Sequence, residues 1–259
     1  MLLADTHVHL LAGLDDGPAT LDEAAAMARM LVAEGVRFAA ALAHQNPDYP
    51  ANTATALQIA AAALVERLAA DGTPLLVCGS GEVMLGPDLL ADWHAGKLLS
   101  LGGHGRFLLV EMPHGVFLDA RGVAAEFGKL GVRLVIAHAE RYPELLHEPG
   151  TAEALIAAGC LVQVTARELA HPPTAAAERA LRDWARRGVI HLLGSDGHNL
   201  TYREPRLKAG AEALARMASR AALDRAGRIW GPAVLQGLPV KVPPPLPKPR
   251  SWFAGLFGG

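Results

Sequence analysis

His7 and His9 stand two residues apart in Asp5-Thr6-His7-Val8-His9. In an extended segment both imidazoles then point to the same side, where one cation can take both. Further nitrogen and carboxylate groups follow along the chain in Asp15-Asp16-Gly17, His44, Glu82, Glu111, His138 and Ser195-Asp196-Gly197-His198. Ligands of these types suit Mn, Fe or Zn, and ions held this way polarise a phosphoryl group and lower the pKa of bound water. Singly, each residue is ordinary: a lone histidine is more often a hydrogen-bonded structural one. What distinguishes them is placement, because each follows a short apolar run.

Those runs cover residues 2–4, 36–43, 75–78, 107–110, 133–137, 161–164 and 189–193, which predicts seven strands. Helical patterns lie between them. Thr20-Leu21-Asp22-Glu23 is a capping box opening a helix that should stop near Gly35. Further helices are expected over 53–70, 120–130, 152–158, 174–187 and 205–219. Repeated βα units with such apolar strands need cover on both faces, which a closed parallel barrel provides better than an open doubly wound sheet. No glycine-rich phosphate loop follows the first strand, which weakens a nucleotide-binding fold. In a parallel barrel the carboxyl ends of the strands form the reactive rim. Six of the seven strand ends carry a candidate ligand, and the sixth strand alone ends without one.

The bulk properties exclude several classes. A formal net charge of −2 over 259 residues gives no broad electrostatic reason to bind nucleic acid. No apolar run is long enough to cross a bilayer, and no basic region with a long apolar segment opens the chain, so a cytoplasmic location is expected. Cys78 and Cys160, both within apolar runs, are expected to be buried thiols of a reducing compartment, with no part in disulfides or metal binding. Of the eleven histidines, His94, His104, His114, His147, His171 and His191 lack strand-end placement and are assigned structural or solvated roles. The barrel is expected over residues 1–240. A proline-rich and aromatic tail, 241–259, is expected to lie on the barrel or be disordered; docking of Trp252, Phe253, Leu256 and Phe257 on a partner or membrane is the sharper alternative.

In order along the chain, His7-Val8-His9, Asp15-Asp16-Gly17-Pro18, His44, Gly81-Glu82, Glu111, Ala137-His138-Ala139-Glu140-Arg141 and Ser195-Asp196-Gly197-His198-Asn199 resemble the PHP (polymerase and histidinol phosphatase) superfamily. The Asp-Asp-Gly-Pro, His-x-Glu-Arg and Ser-Asp-x-His-Asn segments favour its bacterial capsule and exopolysaccharide protein-tyrosine phosphatase branch, over about Asp5 to Arg206. The resemblance implies an α/β fold, a distorted (β/α)7 TIM-like barrel, with three divalent metal ions, Mn first among them and Fe or Zn as alternatives. Carried across, His7, His9, Glu82 and Asp196 would hold one ion, Glu82, Glu111 and His138 a second, and Asp16, His44 and His198 a third. Arg141 and Arg203 match positions that contact the phosphate, and with His44 and Asp196 they form the expected catalytic set.

The implied reaction is hydrolysis of phosphotyrosine by water ionised on the metals, without a covalent enzyme intermediate. The implied partner is a bacterial tyrosine autokinase of polysaccharide synthesis, placing the protein peripheral to a membrane kinase complex; a homo-oligomer is compatible. Three other readings compete. A small-molecule phosphatase such as a histidinol-phosphate enzyme would share the ligands, and an amidohydrolase-type enzyme would share the barrel. A regulatory module could keep its metals for stability alone.

Overall fold

Seven strands alternate with helices in a computed structural model that describes residues 3–148 and 150–248. The strands are β1 (Leu3–His9), β2 (Val36–Gln45), β3 (Leu76–Met84), β4 (Phe107–Glu111), β5 (Arg133–Ile136), β6 (Leu161–Thr165) and β7 (Leu192–Gly194). They pair in parallel, in chain order. Closure comes from β1 meeting the segment after β7: the Asp196 amide donates to His7 O at 2.8 Å and the His9 amide to Gly197 O at 2.9 Å. Asp5 ties the same seam, its Oδ1 accepting from the amides of His7 (3.1 Å) and Ser195 (3.0 Å). Gly194 is required here, since a Cβ would stand 2.5 Å from His7 Cβ. The distorted (β/α)7 TIM-like barrel expected from the sequence is the fold observed.

Helices α1 (Leu21–Ala33), α2 (Ala54–Ala70), α3 (Leu89–His94), α4 (Arg121–Lys129), α5 (Pro143–His147), α6 (Thr151–Ala157), α7 (Ala166–Ala170), α8 (Ala175–Arg187) and α9 (Lys208–Met217) surround the barrel. The capping box on α1 is present: Thr20 Oγ1 accepts from the Glu23 amide and the Glu23 carboxylate accepts from the Thr20 amide. Such a cap contributes about 1 kcal/mol. Gly35, at φ +88°, takes the left-handed position that ends α1. Thr53 and Thr174 cap α2 and α8 through the hydroxyl alone, accepting from the Ala56 and Ala177 amides.

The first three strands run well past their predicted ends at the mouth. β1 runs on through His9, β2 through Gln45 and β3 through Met84. Polar residues end an apolar run in sequence but do not end backbone pairing, so His7, His9, His44, Glu82 and Glu111 belong to the strands themselves. In contrast, β7 is shorter than the predicted 189–193 and displaced towards its C-terminus: the Val189 amide donates to Trp184 O and finishes the α8 cap. Val189 and Ile190 are apolar because they are buried, and His191 precedes the strand rather than lying within it. The last predicted helix starts at Lys208 rather than 205, and α3, α5 and α7 were too short for their periodicity to show.

Two apolar layers hold the fold. Between strands and helices lies the larger core, including Met27, Leu57, Leu64, Phe127, Leu134 and Leu214. Inside the barrel, Ala4, Ala40, Leu42, Leu109, Val135, Leu161 and Leu192 fill the lower half, and Val234 and Leu235 close it from below. Cys160 is buried as expected, but Cys78 is half-buried, since the start of β3 is open to solvent, with Leu76 exposed. Burial pushes both thiols up to about 12, which disfavours a thiolate nucleophile.

The Pro-rich segment from Val240 to Lys248 is fastened to the barrel. Arg133 Nη1 donates to Val240 O, and Arg187 and Leu246 exchange two hydrogen bonds of 2.7 and 2.8 Å. Trp252, Phe253, Leu256 and Phe257 lie outside the described residues.

His191 is fully buried beneath the site, its Nδ1 accepting from the Val162 amide at 2.9 Å. Burial, with Arg133 nearby, pushes its pKa down to about 3. The unfolded chain therefore binds a proton below the ordinary value near 6.5 that the folded chain refuses until about pH 3, and stability declines as the pH falls through that window. His191→Asn, which keeps an acceptor for Val162, is expected to flatten this decline by about 1.4 kcal/mol per pH unit. Urea titrations of both proteins between pH 4 and 6.5, in chelator, measure the difference; equal slopes would refute it.

Candidate metal centre

Interior positions of β2 to β4 follow a period of two and end in a candidate ligand at the mouth. β2 presents Phe38, Ala40, Leu42 and then His44; β3 presents Cys78, Ser80 and then Glu82; β4 presents Phe107, Leu109 and then Glu111. Register sets His44 directly beside Glu82. β1 reaches the mouth through a bulge, since Asp5 pairs with Ala39 but Val8 with Ala41. The extra residue turns His7 and His9 inward, a use of bulges common at barrel rims. His138 and Asp196, after β5 and β7, have φ of +30° and +54° and are the only non-glycine residues with positive φ among those described. Strain of this kind concentrates at functional sites.

Four imidazoles are oriented by a partner on Nδ1, leaving Nε2 to face the centre. His7 Nδ1 meets Gln163 Oε1 at 3.0 Å, His9 Nδ1 meets Asp15 Oδ2 at 2.7 Å, His198 Nδ1 meets Asp196 O at 3.0 Å and His138 Nδ1 meets Tyr142 Oη at 3.3 Å. A hydrogen bond behind a ligand nitrogen is how proteins fix the tautomer for a metal. Nε2 of His7, His9 and His198, and Nδ1 of His44, are buried without a hydrogen-bond partner. Buried polar nitrogens without partners are costly, so their convergence points to a ligand.

Carboxylates fill the space between them. Glu82 Oε2 is 3.2 Å from Nε2 of both His7 and His9 and 3.3 Å from His44 Nδ1, while its Oε1 is 3.0 Å from His138 Nε2. Three overlapping groups can each surround a cation: His7, His9 and Glu82; His44, Glu82 and Glu111; and His9, Asp16, His44 and His198. All nine expected ligands converge on one mouth. The groups overlap, since His44 faces Glu111 (3.2 Å) as well as Asp16 (3.5 Å), and His9 stacks on His198 with ring centroids 3.6 Å apart.

The field inside this cage is strongly negative. Burial disfavours a charged His9, yet Asp15 and Glu82 lift it to about 9; burial likewise opposes His44, yet Asp16 and Glu111 lift it to about 11. Burial pushes Glu82 up, but His7 and His138 outweigh it and hold the carboxyl well below its ordinary range. Asp16 and Asp196 are held low in the same way, against burial, by His198 and by His7 with Arg141 respectively. Carboxylates that raise His9 and His44 in this way fit divalent cations, and the donor set suits Mn, Fe or Zn.

Arg141 and Arg203 flank the cage. Arg141 Nη2 donates to Asp196 Oδ2 at 2.7 Å, and Arg203 Nη2 donates to the same oxygen at 3.0 Å, with Nη1 reaching Asp16 at 3.3 Å. Their side chains remain 38% and 33% exposed and line a cleft of about 480 Å³ that also includes Asp196. Two guanidiniums beside a multivalent cage suit a phosphate dianion.

Sequence reading left out Gln163, Tyr142 and Tyr49 behind the ligands, and named Asp15 as a candidate carboxylate without its orienting role. Gln163, on the strand with no candidate ligand, bonds His7 and reaches Thr6 Oγ1 at 3.0 Å. Asp15 accepts from His9 and from the amides of Gly17 and His44. Tyr142 Oη accepts from the Met112 amide while facing His138, and Tyr49 stacks parallel to His44 at 5.7 Å. Gln163 had one signal: it is the polar residue within the apolar run 161–164, two positions after the inward Leu161.

Fold and mouth together define a parallel barrel whose C-terminal rim gathers candidate metal ligands beside two arginines. The chain belongs to the capsular polysaccharide synthesis CpsB/CapC family, which it matches over residues 3–228. Tyrosine-protein phosphatase YwqE of Bacillus subtilis is 30% identical over 206 residues, covering 78% of this chain and 79% of the relative. Tyrosine-protein phosphatase CpsB of Streptococcus pneumoniae is 23% identical over 223 residues, covering 83% and 90%. One solved structure, from work on YwqE from Bacillus subtilis and CpsB from Streptococcus pneumoniae as unique metal-dependent tyrosine phosphatases, aligns with a TM-score of 0.86. It is 27% identical and covers 96% of this chain and 100% of its own.

Proposed function

We propose that this protein is a metal-dependent protein-tyrosine phosphatase that removes phosphate from a tyrosine autokinase of capsule or exopolysaccharide synthesis. The observation that carries this is the convergence of buried, unpartnered imidazole nitrogens with Glu82 and Asp196, next to two arginines that open onto a cleft. Membership of the capsule family, and the tyrosine phosphatase relatives within it, support the substrate class. Three divalent ions, Mn first among them, would be held by His7, His9, Asp16, His44, Glu82, Glu111, His138, Asp196 and His198. Ions there supply Lewis acidity and a water that ionises near neutral pH.

The chain's own residues do the rest. Gln163, Asp15 and Tyr142 fix which imidazole nitrogens face inward. Arg141 and Arg203 take equatorial phosphoryl oxygens, Arg141 by a planar fork that orients the group for in-line displacement. Asp196 keeps both guanidiniums at the rim until the dianion arrives. A phenolate leaving group, of parent pKa about 10, departs with little protonation, which favours tyrosine over serine esters. No helix among the described residues is long and apolar enough to cross a membrane, and a cytoplasmic protein meeting a membrane-associated kinase fits this reading.

A substrate panel separates this from the small-molecule alternative. With Mn supplied, kcat/KM on a phosphotyrosyl peptide is expected to exceed that on the matching phosphoseryl peptide and on histidinol phosphate by about 100-fold or more, a difference of roughly 2.7 kcal/mol. Preference for histidinol phosphate would replace the proposal with a small-molecule phosphatase.

A further inference from the structure

The ring of candidate ligands has one gap, at β6, and the 480 Å³ cleft opens through it. Beyond Thr165 the chain turns directly into α7, which places Arg167 and Glu168 on one wall; Tyr202, Arg203, Arg206 and Lys208 line the cleft with them. Most charges along this path are already paired. Arg206 is closed by Glu204 (3.0 Å) and Glu34 (3.1 Å), Arg203 and Arg141 share Asp196, and Glu168 stands 3.7 Å from Arg141. Arg167 differs. It is exposed, the only hydrogen bond of its guanidinium among the described residues runs to the Tyr202 carbonyl at 3.4 Å, and no carboxylate among them lies within 4.0 Å of it.

We propose that the β6 gap is the channel for the polypeptide flanking the phosphotyrosine, and that Arg167 is a specificity-determining residue that pairs with an acidic side chain of that flank. The inference rests on the phosphatase reading above. A phosphoryl group between Arg141, Arg203 and the cage leaves the rest of its protein to extend into open volume, and this cleft is continuous with both arginines. A free guanidinium on its wall selects carboxylates there and disfavours lysine or arginine by like-charge repulsion. Such a contact at a partly exposed site is modest and salt-sensitive.

The test uses the Mn-loaded full chain and three phosphotyrosyl peptides identical except that the flanking residues are glutamate, glutamine or lysine. The glutamate peptide is expected to show kcat/KM about fivefold above the glutamine one at low salt, through KM, with the preference shrinking by 0.5 M NaCl. In Arg167→Gln the ratio is expected to approach one, and in Arg167→Glu the lysine peptide should become the preferred substrate. Equal rates on all three peptides in the parent protein would overturn the proposal, as would an acidic preference that survives Arg167→Gln. Turnover of no peptide, nor of p-nitrophenyl phosphate, would instead fail the phosphatase reading and this proposal with it.

Discussion

Glu82→Gln is expected to lower kcat/KM on p-nitrophenyl phosphate by about a thousandfold or more and to reduce the number of ions held per chain, the loss following from removal of a central charge that anchors metal catalysis. Glu82 is fully buried and stands within 3.3 Å of nitrogens from His7, His9, His44 and His138, so one carboxylate binds the strand ends into a single cage. Glutamine preserves the volume but removes the charge and turns an amide group towards imidazole nitrogens that should be aimed at cations. The outer apolar core is untouched, so thermal unfolding in chelator should change little by comparison. Changing a residue behind a ligand is a milder insult: Asp15→Asn, which only alters the group orienting His9, is expected to cost about 10- to 100-fold. Equal losses for the two variants would show that Glu82 has no special place in the cage.

Arg141→Lys is expected to lower kcat/KM by about 100-fold while leaving metal content unchanged, because a lysine keeps the charge but lacks the fork that orients two phosphoryl oxygens. The geometry explains why charge alone falls short. Arg141 Nη2 already spends one donor on Asp196 Oδ2 at 2.7 Å, and its remaining N–H groups face the cleft. A lysine ammonium satisfying Asp196 has no fixed second donor to place on the substrate. The loss should fall mainly on kcat, since orientation is realised in the transition state. A variant with parental kcat and parental KM would remove Arg141 from phosphate recognition.

Much of this arrangement was legible in the chain, for reasons that particular residues make plain. Interior positions of β2 to β4 repeat every second residue, so apolar runs ending in His44, Glu82 and Glu111 reported both the strands and the height of the polar mouth. Thr20 with Glu23, and Gly35 after them, announced α1 because helix ends depend on local chemistry. Strand ends were misplaced where polar side chains interrupted the apolar pattern without interrupting the ladder, as at His7 to His9. The bulge in β1 left no mark, since it depends on pairing with β2. Gln163 and Asp15 act through contacts that sequence spacing does not display: Gln163 lies 156 residues from His7. The two-sided placing of His44 was likewise beyond sequence, since its ring nitrogens face different acids, Asp16 and Glu111, from separate segments.

The most direct measurement is metal content and rate on the same sample. Protein stripped by chelation and then titrated with Mn should be inactive at first and regain phosphotyrosine hydrolysis in step with binding, reaching its maximum near three ions per chain. Full turnover by protein shown to be metal-free would contradict the proposed mechanism at its root.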